Sequence, residues 1–148
     1  MALYVQVVNN QMAQCIDTTP PSPVGTDGWK NAIEVKPTPV PYRQGLNGPV
    51  YHCDLDPVEI TWTVYDFSID DRKSSQLGQA KSQFDQVVAG QVALETNSNP
   101  DDHYDPAVVA AAQTRYQDIT AQINAATTQD ELDVTQAELN NNQIATGV

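Results

Sequence analysis

The chain has 148 residues, room for one ordinary domain or two small units. Seven Lys and Arg stand against nineteen Asp and Glu, a formal charge of −12, which argues against nucleic acid as a partner because phosphate binding rests on clustered cations. Charged residues are only 18% of the chain, so the surface is largely neutral-polar, as in assemblies where many copies sit close together.

The chain opens on a strand pattern over residues 3–8, with Leu3, Val5 and Val7 on one face. Asn9-Asn10 is a turn signal, because Asn tolerates positive φ, and residues 11–16 then return as the second strand of a hairpin. Residues 18–23, rich in Pro, run extended, and Asp27-Gly28 makes another turn before Trp29. A short strand is expected over residues 32–36, followed by an extended segment through Pro37, Pro39 and Pro41. Gly45, Asn47, Gly48 and Pro49 read as a loop, and residues 50–53 as a short strand. The clearest strand is residues 58–64, where Val58, Ile60, Trp62 and Val64 alternate with Glu59, Thr61 and Thr63.

The period changes after Asp66. Ser68 with Asp71 resembles a capping box, so a helix starts near Ile69. Leu77, Ala80, Phe84, Val87, Val88 and Gln91 form one stripe of it. Residues 95–105 are polar, interrupted by Pro100, and read as a loop. Asp105-Pro106 is a second helix start, with Asp at the cap and Pro at the first helical position. Its stripe is Val109, Ala112, Tyr116, Ile119, Ile123 and Ala126, a coiled-coil-like alternation of three- and four-residue steps. Thr128 with Glu131 is another capping box and opens a last helix through Leu132, Thr135 and Leu139, after which residues 140–148 are expected to fray.

These patterns predict an α+β chain: a small antiparallel β-rich unit over residues 1–66 with Pro-rich extended segments, then an acidic helical hairpin or three-helix unit over residues 67–148. Residues 67–148 contain 19 Val, Leu, Ile, Phe and Tyr, thin for a helical unit standing alone. The helices are therefore expected to pack on the β unit or, as the narrow stripes favour, on another chain. The helix-interface candidates are Leu77, Phe84, Val88, Val109, Tyr116, Ile119, Ile123 and Leu132.

No catalytic residues, cofactor or metal site are expected. His52 beside Cys53 lacks a second ligand pair, and a strand histidine facing solvent explains it. His103 among Asp101, Asp102 and Asp105 lacks the spacing and the Gly of a calcium loop, and solvation with helix-dipole complementation accounts for those carboxylates. Asp54 and Asp56 would share a face if they lay on a strand, but a glycosidase pair needs a separation and a pKa asymmetry that spacing along the chain does not supply. Neither a phosphate-cradling Gly-rich loop nor a nucleophile elbow occurs. Trp29, Tyr42, Tyr51 and Trp62 form a possible sugar-binding face, with core and edge packing the competing use for Trp62. Cys15 and Cys53 read as two buried free thiols on strands, with a single bridge as the alternative. The start has no basic region, Gln6 interrupts its apolar run, and no stretch nears the ~20 apolar residues of a membrane span.

Several segments in order carry a resemblance. They are the β start at residues 3–10, Gly28-Trp29, residues 56–64, Arg72-Lys73 opening a helix, Tyr104-Asp105-Pro106-Ala107-Val108-Val109, and residues 126–132. Together they resemble small proteins of tailed bacteriophages encoded near tail-fibre genes, and more loosely the helical region of tail-fibre assembly-like proteins. The resemblance implies a virion role, as a tail, baseplate or fibre-adaptor component assembled in the host cytoplasm and contacting other virion proteins and copies of itself. A tail-fibre assembly chaperone, a capsid-decorating protein and a host-glycan-binding module stay open beside it.

Overall fold

The computed structural model describes residues 2–96, 99 and 101–146. The chain divides into two compact units, Met1–Asp66 and Phe67–Val148. The first is a five-stranded sheet and the second is helical, which makes the chain α+β.

The β unit contains β1 (Leu3–Val8), β2 (Gln11–Ile16), β3 (Trp29–Val35), β4 (Gln44–His52) and β5 (Val58–Asp66), in sheet order β2-β1-β3-β5-β4. The β1–β2 hairpin turns on Asn9 and Asn10, at φ 51° and 61°, the doubly left-handed turn whose twist matches the flanking strands. At Gly28, φ is +78° and an added Cβ would overlap the Val7 carbonyl oxygen; the Val7 N–H donates to the Gly28 carbonyl at 2.8 Å. Only glycine fits that close approach.

The sheet is not purely antiparallel as expected, because β3 and β5 pair in parallel. Pro37, Pro39 and Pro41 lie in the connection after β3, where they cannot support a tight hairpin. The chain therefore passes to the outer position, forms β4, and returns as β5 between β4 and β3. β4 also runs through residues expected as a loop. Its ladder shifts between Asn47 and Val50, so that Gly48 (φ +135°) and Pro49 bulge out of register. Gly45 pairs with Tyr65, whose ring occupies the space a Cβ would need.

One sheet face carries the core. Val5, Val58 and Ile60 are buried, and Leu3, Val7, Ala32 and Tyr51 pack against them. Strands about 4.8 Å apart would place the two edges of a flat five-stranded sheet about 19 Å from each other. Yet Tyr51 on β4 and Cys15 on β2 lie close enough for each to perturb the other's ionisation. The sheet is therefore strongly curled around this core.

The helical unit contains α1 (Ile69–Glu95), α2 (Pro106–Ala125), α3 (Gln129–Asn140) and α4 (Gln143–Thr146). The three expected caps form. Ser68 Oγ accepts from the Asp71 N–H at 3.0 Å and Asp105 from the Ala107 N–H at 2.9 Å. Thr128 and Glu131 complete a reciprocal capping box. At Ser68 the box is only half made, since its hydroxyl donates to the Asp71 carboxylate instead. The core joins all four helices through Ala80, Ala112, Ile119, Ile123, Ala126, Leu132, Leu139 and Ile144.

The expected fraying after residue 140 is replaced by α4. Ile144 is fully buried and Arg115 donates from Nε to its carbonyl at 3.0 Å, so one apolar anchor and one cation hold the turn. Residues 147 and 148 lie outside the described residues, as do 97, 98 and 100 within the expected loop.

Candidate interaction surfaces

The helix-interface candidates are mostly used inside the helical unit. Ile119, Ile123 and Leu132 are buried in its core, and Leu77, Phe84 and Tyr116 pack against that core. The Phe84 and Tyr116 rings stack at 5.2 Å between centroids. Val88 and Val109 are half-buried. The expectation that these stripes await another chain is thus corrected for six of the eight. Three- and four-residue steps serve packing between neighbours in one chain equally well. Ala80, Ala112 and Ala126 in the core let the helix axes approach closely, so few large side chains are needed.

A second interface, unread in the sequence, is polar. Arg72 donates to the Gln129 carbonyl at 3.1 Å and to the Asp133 carboxylate at 2.7 Å. Gln76 donates to the Leu132 carbonyl at 2.8 Å and accepts from the Thr135 hydroxyl at 2.5 Å. Gln136 donates to Gln79 at 2.9 Å, and Gln83 to the Leu139 carbonyl at 2.7 Å. Residues 72, 76, 79 and 83 thus meet 129, 132, 136 and 139 rung by rung. The signal was present as four long polar side chains at steps of four, three and four.

Beside this ladder, α2 and α3 enclose a shallow cleft of about 300 Å³, lined by Gln122, Ala125, Ala126, Glu131, Val134 and Thr135. Val134 is 58% exposed within it. Glu131 is held in place, with one carboxylate oxygen accepting from the Thr127 and Thr128 N–H groups at 2.6 and 3.1 Å. These backbone donors push its pKa below the usual carboxylate value.

The β unit carries most of the bare apolar surface. Ten of the thirteen exposed large hydrophobic side chains among the described residues belong to it. On the outward face, Val35 and Val50 both pair with Thr61, and Ile33 follows one step along β3. All three aliphatic side chains are more than half exposed. His52 is half-buried on this same outward face, with its Nε2 2.9 Å from Thr61 Oγ1. On the core-facing side, Trp62 is half-buried, donates to Glu34 at 2.9 Å and lies under Lys36, 4.6 Å from the ring centroid.

The aromatic residues do not assemble into a sugar-binding face. Trp29 is buried, Tyr51 packs in the core, and Tyr42 is exposed in the turn before β4 at φ 63°. Cys15 and Cys53 are both free, but only Cys53 is buried, in the turn after β4. Cys15 is exposed, yet partial loss of hydration, then the charges of Glu34 and Asp17, raise its thiol pKa. An activated thiolate needs the opposite environment. Asp54 and Asp56 lie in the same turn as Cys53 and not on a strand. Among the described residues there is no cluster of three or more metal-ligating side chains, and no helix is long and apolar enough to cross a membrane.

Comparison with protein-family models, with curated proteins and with solved structures gave no match.

Proposed function

We propose that this chain is a structural component of a tailed-phage virion, a tail, baseplate or fibre-adaptor protein that works by protein–protein contact rather than by catalysis. The observation that carries the assembly reading is the outward sheet face, where Ile33, Val35 and Val50 stand bare around Thr61. Exposed aliphatic side chains grouped on one sheet face mark contact sites. A surface of low charge density supports it, since few ions must be desolvated when subunits pack. The virion setting rests on the sequence resemblance described above.

Quantitative mass spectrometry of purified particles tests it. The chain is expected in stoichiometric amount, and its absence from particles overturns the reading. Presence in infected cells but not in particles would instead make it an assembly chaperone. Copy number places it further: roughly hundreds per particle indicate capsid decoration, roughly a dozen or fewer a tail position.

A further inference from the structure

The cleft between α2 and α3 combines three features. Its floor is apolar, with Ala125, Ala126 and the exposed Val134. Its rim is acidic: Glu131 lines it, Asp118 lies one turn before Gln122 on α2, and Glu138 one turn after Val134 on α3. Its walls are already in place, because Gln76 and Gln83 hold the Leu132 and Leu139 carbonyls of α3.

The four cations of the helical unit all have partners, and none of them lines the cleft. Arg72 is on Asp133, Lys73 on the Asn124 carbonyl, Lys81 on Asp85, and Arg115 on the Ile144 and Ala145 carbonyls. Four cations against twelve carboxylates leave residues 67–148 at a net −8. The rim therefore lacks an internal counter-charge, and a cationic occupant is favoured. A second copy of this acidic unit would be repelled, and nucleic acid more so.

From this geometry we infer that the α2–α3 cleft docks a basic amphipathic helical segment of a partner protein. About two aliphatic side chains of the segment sit on Val134 and the two alanines, and its Lys or Arg side chains face Asp118, Glu131 and Glu138. The occupant's identity as another virion protein rests on the function proposed above; the chemistry of the cleft does not. Because Glu131 is anchored at its helix N-terminus and α3 is pinned by the ladder, little ordering is needed on this side of the contact.

The test uses the full chain and a synthetic helical peptide of ~18 residues, Leu on one face and Lys on the other, beside a counterpart with Glu in place of Lys. Fluorescence anisotropy gives affinity, and amide chemical shifts give location. The Lys peptide is expected to bind and to shift Ala125, Val134 and Glu138, while the Glu peptide does not bind. Val134→Gln, at an exposed site where folding is not at stake, is expected to weaken binding about tenfold, while Asp85→Asn on α1 leaves it unchanged. Failure of the Lys peptide to bind, equal binding of both peptides, or equal effects of the two substitutions overturns the proposal. Particle mass spectrometry is independent of this outcome, so the two readings fail separately.

Discussion

Glu131 shows how one side chain both ends and begins structure. Its carboxylate takes the N–H groups of Thr127 and Thr128, while its own N–H goes to Thr128 Oγ1. The folded pKa is depressed, so the stabilisation is fully present above the ordinary glutamate value and is lost as pH falls through the folded value. Stability of the helical unit is therefore expected to decline in that acid window. Glu131→Gln should remove this part of the decline, which denaturant unfolding followed by circular dichroism across pH will show. At Cys15 the raised thiol predicts slow chemistry. Alkylation near neutral pH should proceed more slowly than for a free cysteine, and Cys53 should react only on unfolding, as mass mapping of labelled peptides will reveal. A Cys15 that labels faster than a model thiol contradicts this.

Between elements, the α1–α3 contact shows what polar groups do in a buried seam. Gln76 is 1% exposed and Thr135 2%, and each satisfies the other while Gln76 also holds the Leu132 carbonyl. Gln76→Leu keeps roughly the volume but removes both of these bonds, leaving the Thr135 hydroxyl and the Leu132 carbonyl only their own contact at 3.2 Å. The expected loss is about 1–2 kcal/mol in chemical denaturation, the net worth of two lost hydrogen bonds between neutral groups. A change within ~0.5 kcal/mol would show that solvent reaches the seam. In the sheet, the alternation of residues 58–64 made β5 legible and placed Val58 and Ile60 in the core. β4 was legible only in part. Its Gly45, Asn47, Gly48 and Pro49 look like loop residues locally, but the long pairing with β5 absorbs them through a bulge and through the Tyr65 ring over Gly45.

At the scale of the whole molecule, each unit owns a hydrophobic core, Val5, Val58 and Ile60 in one and Ala80 through Ile144 in the other. Residues 67–148 expressed alone are therefore expected to give a helical spectrum and a cooperative thermal transition. A non-cooperative melt would restore the view that these helices require a partner to fold. The amino-acid sequence by itself determined the change from strand to helix period after Asp66, the three helix caps, the Asn9-Asn10 turn and the inward faces of β1, β5 and α2. These depend on residues within a few positions of each other, where propensity, capping and period act directly. Tertiary structure alone decided the parallel β3–β5 pairing, the curl that brings Tyr51 to Cys15, and the burial of Trp29 and Ile144. It also decided that the helical stripes close on each other within one chain, leaving Val134 exposed. Each of these depends on which distant segment supplies the second surface, and spacing along one segment carries no record of that.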